Sequence, residues 1–436
     1  MIRRRHVFYV EGYDPQGAEG YYGIFQYAAK RFRNVWPVRL DSSPLWLDDE
    51  LTAHWDVRTS GEGWQTDTRY EFLRLEGPLR ANMAQPLLRQ IWRAWRWALG
   101  DHFGGATIRI FRAGPRFALH LLYFQFMLLA WLALSAGIGA LAGWLSARYL
   151  SLPFAAGLAI AVAAALAAFV LLRPLADRFF VVQINNCWPY VRDFAGGAPS
   201  TLNAPLDAFA ERLVAAARAG EADEILVVGH SGGGVFAPCV MARALKIDPE
   251  LGRRGPPVIL MTLGSIMPAA ALHPKADALR MEVERVAVEP SIQWIDCQSR
   301  TDWLNFYGLD PIEGVGIRPK APRCNPAIWQ VRFRDMLTEE SVARLQWNLF
   351  RKHYQFIMGN ELRAPYDYCM LTCGPVPAPV WRERGWEIVQ SFRDDGGYDE
   401  AAGTPANDPS AANAGTMSAP RQAQSSTATG PAANMQ

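Results

Sequence analysis

The chain has almost no excess of one charge. Its 436 residues include 44 Lys and Arg against 42 Asp and Glu, which gives a formal net charge of +2. Nucleic-acid-binding domains normally carry a clustered basic excess, so we expect no nucleic-acid partner. The six cysteines are scattered, and no nearby Cys or His pair completes a zinc site. We therefore expect free thiols in a reducing compartment, without a metal or a cofactor.

The first residues do not have the pattern of a secretory signal, and large apolar residues are scarce in residues 394–436. The apolar run at residues 7–10 is too short for a signal peptide, and Glu11 follows it directly. Residues 394–436 consist mainly of Ala, Gly, Ser, Thr, Pro and Asn. Because such a composition cannot bury enough apolar surface to fold, it predicts a disordered tail.

Charge is absent from two long segments near the middle of the chain. Residues 126–147 contain no charged residue, and residues 154–172 are nineteen consecutive apolar or glycine residues. Each segment is long enough to cross a hydrocarbon layer of roughly 30 Å as a helix. With residues 151–153 as the connection, they predict a two-helix transmembrane hairpin whose partner is the lipid bilayer. A pair of helices buried in a soluble core, or packed on the fold as a lid, is the alternative.

Basic residues around this hairpin predict its orientation. They are three arginines before the first span, one in the connection and two after the second span: Arg109, Arg112, Arg116, Arg148, Arg173 and Arg178. Since cytoplasmic flanks carry more Lys and Arg, we expect the connection outside and both flanks in the cytoplasm. The prediction is a multi-pass membrane protein with two spans, whose main domain and both termini are cytoplasmic.

Residues 225–233 have the pattern of a strand followed by a sharp turn. Residues 225–228 are apolar, and Gly-His-Ser-Gly-Gly follows them, a full match to G-x-S-x-G. Residues 235–245 are rich in Ala, Val, Met and Leu, which indicates a helix. A strand, this motif and a helix in succession predict a nucleophile elbow that presents the hydroxyl of Ser231. The N–H of Gly232, beside the helix N-terminus, is a candidate for an oxyanion hole.

A serine hydroxyl needs a base to take its proton and an acid to orient that base. In folds with a nucleophile elbow the order along the chain is serine, acid, histidine. Only His273 and His353 follow Ser231. His273 comes too early in that order, so His353 is the predicted base. The predicted acid is Asp302, which stands shortly after a predicted strand, and Asp310 is the alternative.

The second oxyanion donor is expected just after an earlier strand. Residues 7–10 predict a short buried strand, and Gly12 and Tyr13 follow it. A backbone N–H of one of these two residues is the predicted donor, because a glycine here lets the backbone approach a substrate. An ordinary glycine turn is the alternative.

The rest of the chain alternates between helical and strand patterns. Helices are predicted at residues 21–32, at 206–219 and over most of 337–358, strands at 257–263 and 292–297, and a strand pair between residues 51 and 75. Residues 78–99 are amphipathic, with an aromatic face that either packs under the fold or lies along a membrane. Apolar strands separated by helices predict an α/β fold with a mostly parallel central sheet and helices on both faces.

The segment 227–234, Val-Val-Gly-His-Ser-Gly-Gly-Gly, resembles the serine hydrolases of the α/β-hydrolase superfamily. The likeness is greatest to lipase- and esterase-like members with a Gly-His-Ser-x-Gly-Gly elbow. Residues 262–265, Thr-Leu-Gly-Ser, are similar to the strand end that follows the elbow in that group. The resemblance covers roughly residues 5–390 apart from the hairpin. It implies the α/β-hydrolase fold and gives the acid and base positions to Asp302 and His353.

The chain departs from this family pattern in two places. Gly232 stands where a larger apolar residue is usual after the serine, and Glu11 precedes Gly12 where many members have His. Neither change removes a required group, because both oxyanion donors belong to the backbone. The departures therefore bear on substrate preference and not on the reaction.

These observations divide the chain into four parts. They are an N-terminal part of the hydrolase domain with the oxyanion strand (1–116), the hairpin (117–173), the catalytic part (174–393) and the tail (394–436). The expected function is that of a membrane-anchored serine hydrolase, which cleaves an ester-type substrate, with lipids among the candidates, through an acyl-enzyme on Ser231. A catalytically silent membrane scaffold or interaction protein with the same fold is the alternative. Spacing alone does not determine the acyl group, hydrolysis against acyl transfer, or the oligomeric state.

Overall fold

The fold is organised around one mixed β-sheet. The computed structural model of the protein describes residues 1–13, 16–346 and 348–399. The strands in these residues are β1 (Arg4–Val10), β2 (Arg39–Ser42), β3 (Trp46–Leu47), β4 (Thr52–Gly61), β5 (Trp64–Leu73), β6 (Glu224–His230), β7 (Val258–Leu263), β8 (Ile292–Gln298) and β9 (Ala327–Gln330). They lie in the order β2-β4-β5-β1-β6-β7-β8-β9, with β3 paired to β4.

Most of this sheet is parallel, as predicted. β1 pairs in parallel with β5 and β6, and β7, β8 and β9 continue the parallel series. The other edge is antiparallel: β4 and β5 form the predicted strand pair, and β2 and β3 add to β4. Because the carboxyl ends of parallel strands meet at one edge of a sheet, polar residues that follow β1, β6 and β8 converge there.

Helices occupy most of the remaining described chain. They are α1 (Gly17–Val35), α2 (Glu76–Met83), α3 (Leu87–Phe103), α4 (Ala106–Ala113), α5 (Pro115–Leu150), α6 (Phe154–Arg178), α7 (Val181–Ala195), α8 (Asn203–Ala219), α9 (Gly233–Ile247), α10 (Met267–Ala271), α11 (Asp277–Ala287), α12 (Phe333–Met336), α13 (Glu339–Leu345), α14 (Leu349–Tyr354), α15 (Tyr368–Cys373), α16 (Ala378–Arg384) and α17 (Trp386–Gln390). A short 3₁₀ turn lies at Glu313–Val315.

Both faces of the sheet are covered. On β6, Ile225 and Val227 pack into a core with α8, α9 and α11, whereas Leu226 and Val228 pack into a second core with α1, α15 and α16. Successive side chains of a strand point to opposite faces. A strand that is apolar at every position therefore belongs to a sheet with helices on both sides, and the fold is α/β.

The predicted hairpin consists of α5 and α6. These helices, of 36 and 25 residues, are long and apolar enough to cross a membrane. Two glycines of α5 allow them to approach closely: a Cβ on Gly139 would lie 2.6 Å from the Cβ of Ala165, and one on Gly143 would lie 2.8 Å from the Cβ of Ala161. The two glycines therefore serve the contact between α5 and α6.

Much of the hairpin has no protein around it. Several large apolar side chains expose more than half of their surface: Leu141 and Trp144 of α5, and Leu166 and Val170 of α6. Helices in the core of a soluble domain would bury such residues. The alternative of two helices buried in this chain's own core is therefore wrong.

Two helical predictions differ from the structure in detail. Residues 78–99 form parts of two helices, α2 and α3, because the chain turns at Pro86, which has no N–H to continue a helix. Residues 337–358 form two short helices, α13 and α14. The second is capped by the preceding residue, Asn348, whose side chain accepts the N–H of Arg351 (2.9 Å).

The predicted tail at residues 394–436 is described only at its start. Residues 394–399 belong to the fold, because the carbonyl of Gly396 accepts a hydrogen bond from the indole of Trp64 (2.8 Å) and Tyr398 packs on Phe392. The remainder, residues 400–436, lies outside the described residues.

Candidate active site

Ser231 lies in a strained turn between β6 and α9. Its φ of 56° is in the left-handed region, which costs a residue with a side chain roughly 1–3 kcal/mol. The N–H of Ser231 donates to the carbonyl of Leu263 (3.0 Å). Its own carbonyl accepts from the N–H groups of Gly234 (3.1 Å) and Ile266 (3.3 Å). These bonds hold the turn, and the half-buried Ser231 side chain lies at its apex.

The glycines of the motif are required by close packing. A Cβ on Gly229 would lie 2.8 Å from the Cβ of Ala237 in α9, and one on Gly233 would overlap the carbonyl oxygen of Val10 in β1. Any side chain at either position would push α9 away from the sheet. The two outer glycines of G-x-S-x-G therefore let the helix start directly behind the serine.

The loop after β1 runs beside the start of α9. A Cβ on Gly12 would lie 3.2 Å from the backbone nitrogen of Gly232, and one on Gly232 would lie 2.9 Å from the backbone nitrogen of Tyr13. The structure thus brings together all three residues predicted for the oxyanion hole. Glycine is needed at both positions, since a side chain at either would separate the two backbone segments.

Hydrogen bonds hold this loop in place. The buried carboxylate of Glu11 accepts the N–H of Leu75 (2.7 Å). The hydroxyl of Tyr13 accepts a hydrogen bond from the side chain of Asn82 (2.7 Å), which in turn accepts one from Arg93 (2.7 Å). Burial raises the pKa of Tyr13 well above its ordinary value, so this hydroxyl stays protonated. The loop is therefore anchored on both sides of Gly12.

His353 and Asp302 form a buried pair. His353 lies in the last turn of α14, and its Nδ1–H donates to Oδ2 of Asp302 (2.8 Å). The other carboxylate oxygen of Asp302 accepts the N–H of Leu304 (2.9 Å), and Asn305 donates to the Asp302 carbonyl (2.8 Å). The carboxylate of Asp302 is thus held by its own turn after β8, and it holds the imidazole ring of His353 in one orientation.

The second ring nitrogen of His353 is available. Nε2 is buried and has no hydrogen-bond partner within the described residues. His353 and Ser231 line the same cavity. An imidazole with its Nδ1 bound to a carboxylate and its Nε2 free in a cavity with a serine has the arrangement of a general base.

The two alternatives weighed from the sequence lie elsewhere. Asp310 forms an ion pair with Arg323 (2.7 Å) and accepts the N–H of Ile312 (2.8 Å). Burial tends to raise the pKa of Asp310, but its hydrogen bonds, led by that from Arg323, lower it overall. His273 lies in a buried cluster with Arg192 and Asp101. Burial and then the charge of Arg192 lower the pKa of His273 to about 4.

One histidine of the site was missed by reasoning from the sequence. His230, inside the G-x-S-x-G motif, packs its ring 4.7 Å from that of His353, and its Nε2–H donates to the His353 carbonyl (3.0 Å). Burial and then nearby His353 lower the pKa of His230 well below its ordinary value, so its ring is neutral. Its place directly before Ser231 was the available signal, but chain order drew attention only to histidines after the serine.

The cavity in front of Ser231 has a volume of about 390 Å³ and is largely apolar. One wall comes from the base of the hairpin and from α7: Phe117, His120, Leu121, Phe180, Ile184, Cys187 and Trp188. Among the described residues that line the cavity there is no Lys, Arg, Asp or Glu. An uncharged, apolar group therefore fits this space better than an anionic one.

A larger groove of about 1010 Å³ lies at the opposite end of the parallel strands. It is lined mainly by charged and polar side chains, among them Arg4, Asp67 and Glu71. It is far from the elbow and holds none of the predicted site residues. We therefore assign the candidate site to the smaller cavity.

Comparison of the chain with protein-family models, with curated proteins and with solved structures finds no match. The assignment of a function therefore depends on the geometry of this site.

Proposed function

We propose that the protein is a membrane-anchored serine hydrolase with the α/β-hydrolase fold, which cleaves a carboxylic ester. The observation that carries the proposal is the hydrogen bond (2.8 Å) to Asp302 from His353, whose ring lines the same cavity as Ser231. A left-handed serine between a strand and a helix, with this pair nearby, is the geometry of a nucleophile elbow. The order serine after β6, acid after β8 and histidine later in the chain supports the same fold.

The first half of the proposed reaction forms an acyl-enzyme. His353 Nε2 takes the proton of the Ser231 hydroxyl as its oxygen attacks the ester carbonyl. Backbone N–H groups of Gly232 and of Gly12 or Tyr13 stabilise the negative oxygen, a contribution of about 3–4 kcal/mol per donor. Asp302 stabilises the imidazolium that forms. The leaving alcohol then takes the proton from His353, and the acyl group stays on Ser231.

The second half releases the acyl group. A water molecule gives a proton to His353 and attacks the acyl carbonyl. The same N–H groups stabilise the oxyanion, and the returning proton restores the Ser231 hydroxyl as a carboxylic acid leaves. Transfer of the acyl group to an alcohol in place of water uses the same residues, and the product distinguishes the two reactions.

The membrane part of the proposal comes from the hairpin. We infer that α5 and α6 cross the bilayer with the hydrolase domain on the cytoplasmic side, because arginines flank both outer ends and only Arg148 lies near the connection. The base of α5 also lines the cavity through Phe117 and Leu121. An acyl chain of a lipid ester in the same membrane could therefore enter the cavity along the base of α5. Carbonate extraction tests the insertion, since release of the protein into the supernatant contradicts it.

A fluorophosphonate probe tests the nucleophile directly. Membranes with the wild-type chain are expected to incorporate the probe, and Ser231→Ala and His353→Ala are expected to abolish or strongly reduce incorporation. Ser60→Ala, which changes a serine on β4 away from the cavity, is the matched control and should label like wild type. Equal labelling of wild type and Ser231→Ala would exclude the proposed nucleophile and favour a catalytically silent scaffold.

A further inference from the structure

Helix α3 exposes an apolar stripe to solvent. Leu88, Trp92, Leu99 and Phe103 are 75%, 69%, 49% and 89% exposed. Their spacing of four, seven and four residues places them on one side of the helix. A helix on the surface of a soluble domain normally turns such a stripe toward the core. Because this stripe points away from the core, a partner outside the domain is expected to cover it.

The inner side of α3 is already occupied. Ala94 belongs to a buried cluster with Leu128 and Trp131 of α5 and Val181 of α7. Asp101 lies on the same side and forms an ion pair with buried Arg192. The exposed stripe is therefore not a core surface that has failed to pack, because the helix has a separate face for its core contacts.

The stripe continues into the hairpin. The next helix, α4, exposes Ile108 and Phe111, and α5 then exposes Leu119, Tyr123 and Phe126 as it leaves the domain. Since α3 packs against the first half of α5, it lies beside the point where the hairpin emerges. Exposed apolar side chains thus occur on α3, on α4 and on the first part of α5, which follow one another along the chain.

This region is strongly basic. Residues 86–116 contain six arginines and a single acidic residue, Asp101, whose charge is matched inside the fold. Four of the arginines are exposed on α3 and α4: Arg89, Arg96, Arg109 and Arg112. Exposed aromatic and aliphatic side chains among unpaired basic charges are typical of helices that lie in the interface of an anionic membrane.

We propose that α3 and α4 lie in the plane of the cytoplasmic leaflet and bind anionic lipid headgroups. Leu88, Trp92, Leu99 and Phe103 enter the boundary between headgroups and acyl chains, and the four arginines contact lipid phosphates. The occupant of this surface is the bilayer that holds the hairpin. The proposal rests on membrane insertion of α5 and α6, and it is independent of the hydrolase activity.

Fluorescent labels at single cysteines test this surface in the full chain. Cys324→Ser removes the exposed native thiol. On this background Trp92→Cys reports the stripe, Leu134→Cys reports the hairpin and Trp46→Cys is the matched control, since Trp46 is a similarly exposed tryptophan (57%) on β3. The protein is placed in vesicles of phosphatidylcholine and phosphatidylglycerol that carry brominated lipids, which quench a label within contact distance.

The expected result is quenching at positions 92 and 134 and none at position 46. Bromines near the headgroup should quench position 92 more than bromines near the chain ends, with the reverse order at position 134. If position 134 is quenched but position 92, like position 46, is not, the hairpin lies in the membrane and the proposal for α3 and α4 is wrong. A protein partner on this stripe gives that same result. Absence of quenching at position 134 would contradict both the insertion of α5 and α6 and the binding of α3 and α4 to the membrane.

The charge component has its own test. Quenching at position 92 should decrease when phosphatidylglycerol is omitted or when salt is raised, because exposed charges are screened over about 10 Å at 0.1 M salt. Arg89→Gln with Arg96→Gln should remove this lipid dependence. Quenching at 92 that is indifferent to anionic lipid in the wild-type background would exclude headgroup binding by the arginines. Fluorophosphonate labelling of the same samples tests the serine nucleophile independently of these results for the membrane surface.

Discussion

At the scale of single residues, backbone strain marks the region around the cavity. Three non-glycine residues of the described chain have a positive φ: Ser151 at 50°, Phe180 at 54° and Ser231 at 56°. Ser151 turns the hairpin, whereas Phe180 and Ser231 both line the cavity. Such conformations persist only where the surroundings enforce them. For Phe180, packing against Phe350 of α14 (ring centres 5.8 Å apart) is one such constraint.

The proposed acid can be separated from its alternative by one pair of substitutions. Asp302→Asn keeps the shape of the side chain but removes the charge that orients His353, so kcat for ester hydrolysis should fall by about 10⁴-fold. Asp310→Asn is the matched control. It removes the charge that pairs with Arg323 but keeps an oxygen that can accept the N–H of Ile312. It should therefore lower the free energy of unfolding by at most about 1 kcal/mol and leave kcat within a few fold. If a steady-state assay finds that Asp310→Asn lowers kcat more than Asp302→Asn does, Asp310 and not Asp302 is the acid.

The residues of the site differed in how well the sequence predicted them. Ser231 follows from a local motif, and His353 and Asp302 from their order along the chain. Contact between the last two could not be read from spacing, because 51 residues separate them. His230 was missed for the same reason: its role depends on ring packing against His353, a contact between the end of β6 and α14.

At the scale of secondary-structure elements, the hairpin is both an apolar anchor and part of the site. The composition of α5 and α6 predicted two long helices and their connection. It did not predict that α5 would extend below the apolar segment to Pro115 and line the cavity. The apolar length of a helix is a local property, whereas the wall that its base forms depends on where α7 and α14 pack.

The contact between α5 and α6 leads to a prediction for the hairpin. Gly139→Leu should disrupt the pair, because even a Cβ at this position would lie 2.6 Å from that of Ala165. Overpacking of this kind costs about 1–3 kcal/mol. Gly137→Leu is the control on the same helix, since a Cβ at Gly137 meets no atom within 4 Å. Thermal unfolding in detergent should show a lower midpoint for the first variant alone. Equal midpoints would mean that the glycines do not mediate this contact.

The cavity wall leads to a second prediction at this scale. Leu121→Trp enlarges a residue that lines the cavity and should lower kcat/KM for long-chain p-nitrophenyl esters while an acetate ester is still cleaved. Leu119→Trp, two residues earlier and 51% exposed, is the matched control and should leave the chain-length profile unchanged. If both variants keep the wild-type profile, the acyl chain does not occupy this wall.

At the scale of the whole molecule, segments from both sides of the hairpin build one sheet. β1, which precedes the hairpin, pairs with β6, which follows it, along six residue pairs from Arg5–Glu224 to Val10–Gly229. Buried Arg5 and Glu224 also form an ion pair (2.7 Å). The hairpin is therefore an insertion into a single α/β domain. The loop after β1 and the turn at Ser231 lie side by side because their strands are neighbours.

Buried neutral histidines predict how the stability of this domain depends on pH. The pKa values of His230 and His273 are lowered in the folded state, that of His273 to about 4. An unfolded histidine has a pKa near 6.5. Below that pH the unfolded chain binds protons that the folded chain does not, so stability is full above about pH 6.5 and declines as the pH falls toward 4. Each histidine can steepen this slope by at most about 1.4 kcal/mol per pH unit.

A comparison with His273→Gln separates the contribution of this histidine to the pH dependence of stability from that of the carboxylates. Between pH 7 and pH 5 the free energy of unfolding of the wild type should fall more steeply than that of His273→Gln, which retains polar atoms beside Arg192 but does not titrate. Chemical denaturation of the detergent-solubilised protein at both pH values measures the two slopes. Parallel slopes would show that His273 titrates normally in the folded state.

The sequence by itself determined the local features of this protein: the apolar strands, the glycine-bordered serine turn and the two long apolar helices. These depend on the period of apolar residues and on the backbone freedom of glycine, which act over a few neighbouring residues. Only the tertiary structure decided which distant groups meet: that Asp302 and not Asp310 contacts His353, that His230 supports the same ring, and that the outer face of α3 stays exposed. Such contacts depend on strand order and helix packing, which bring together residues that spacing along the chain cannot relate.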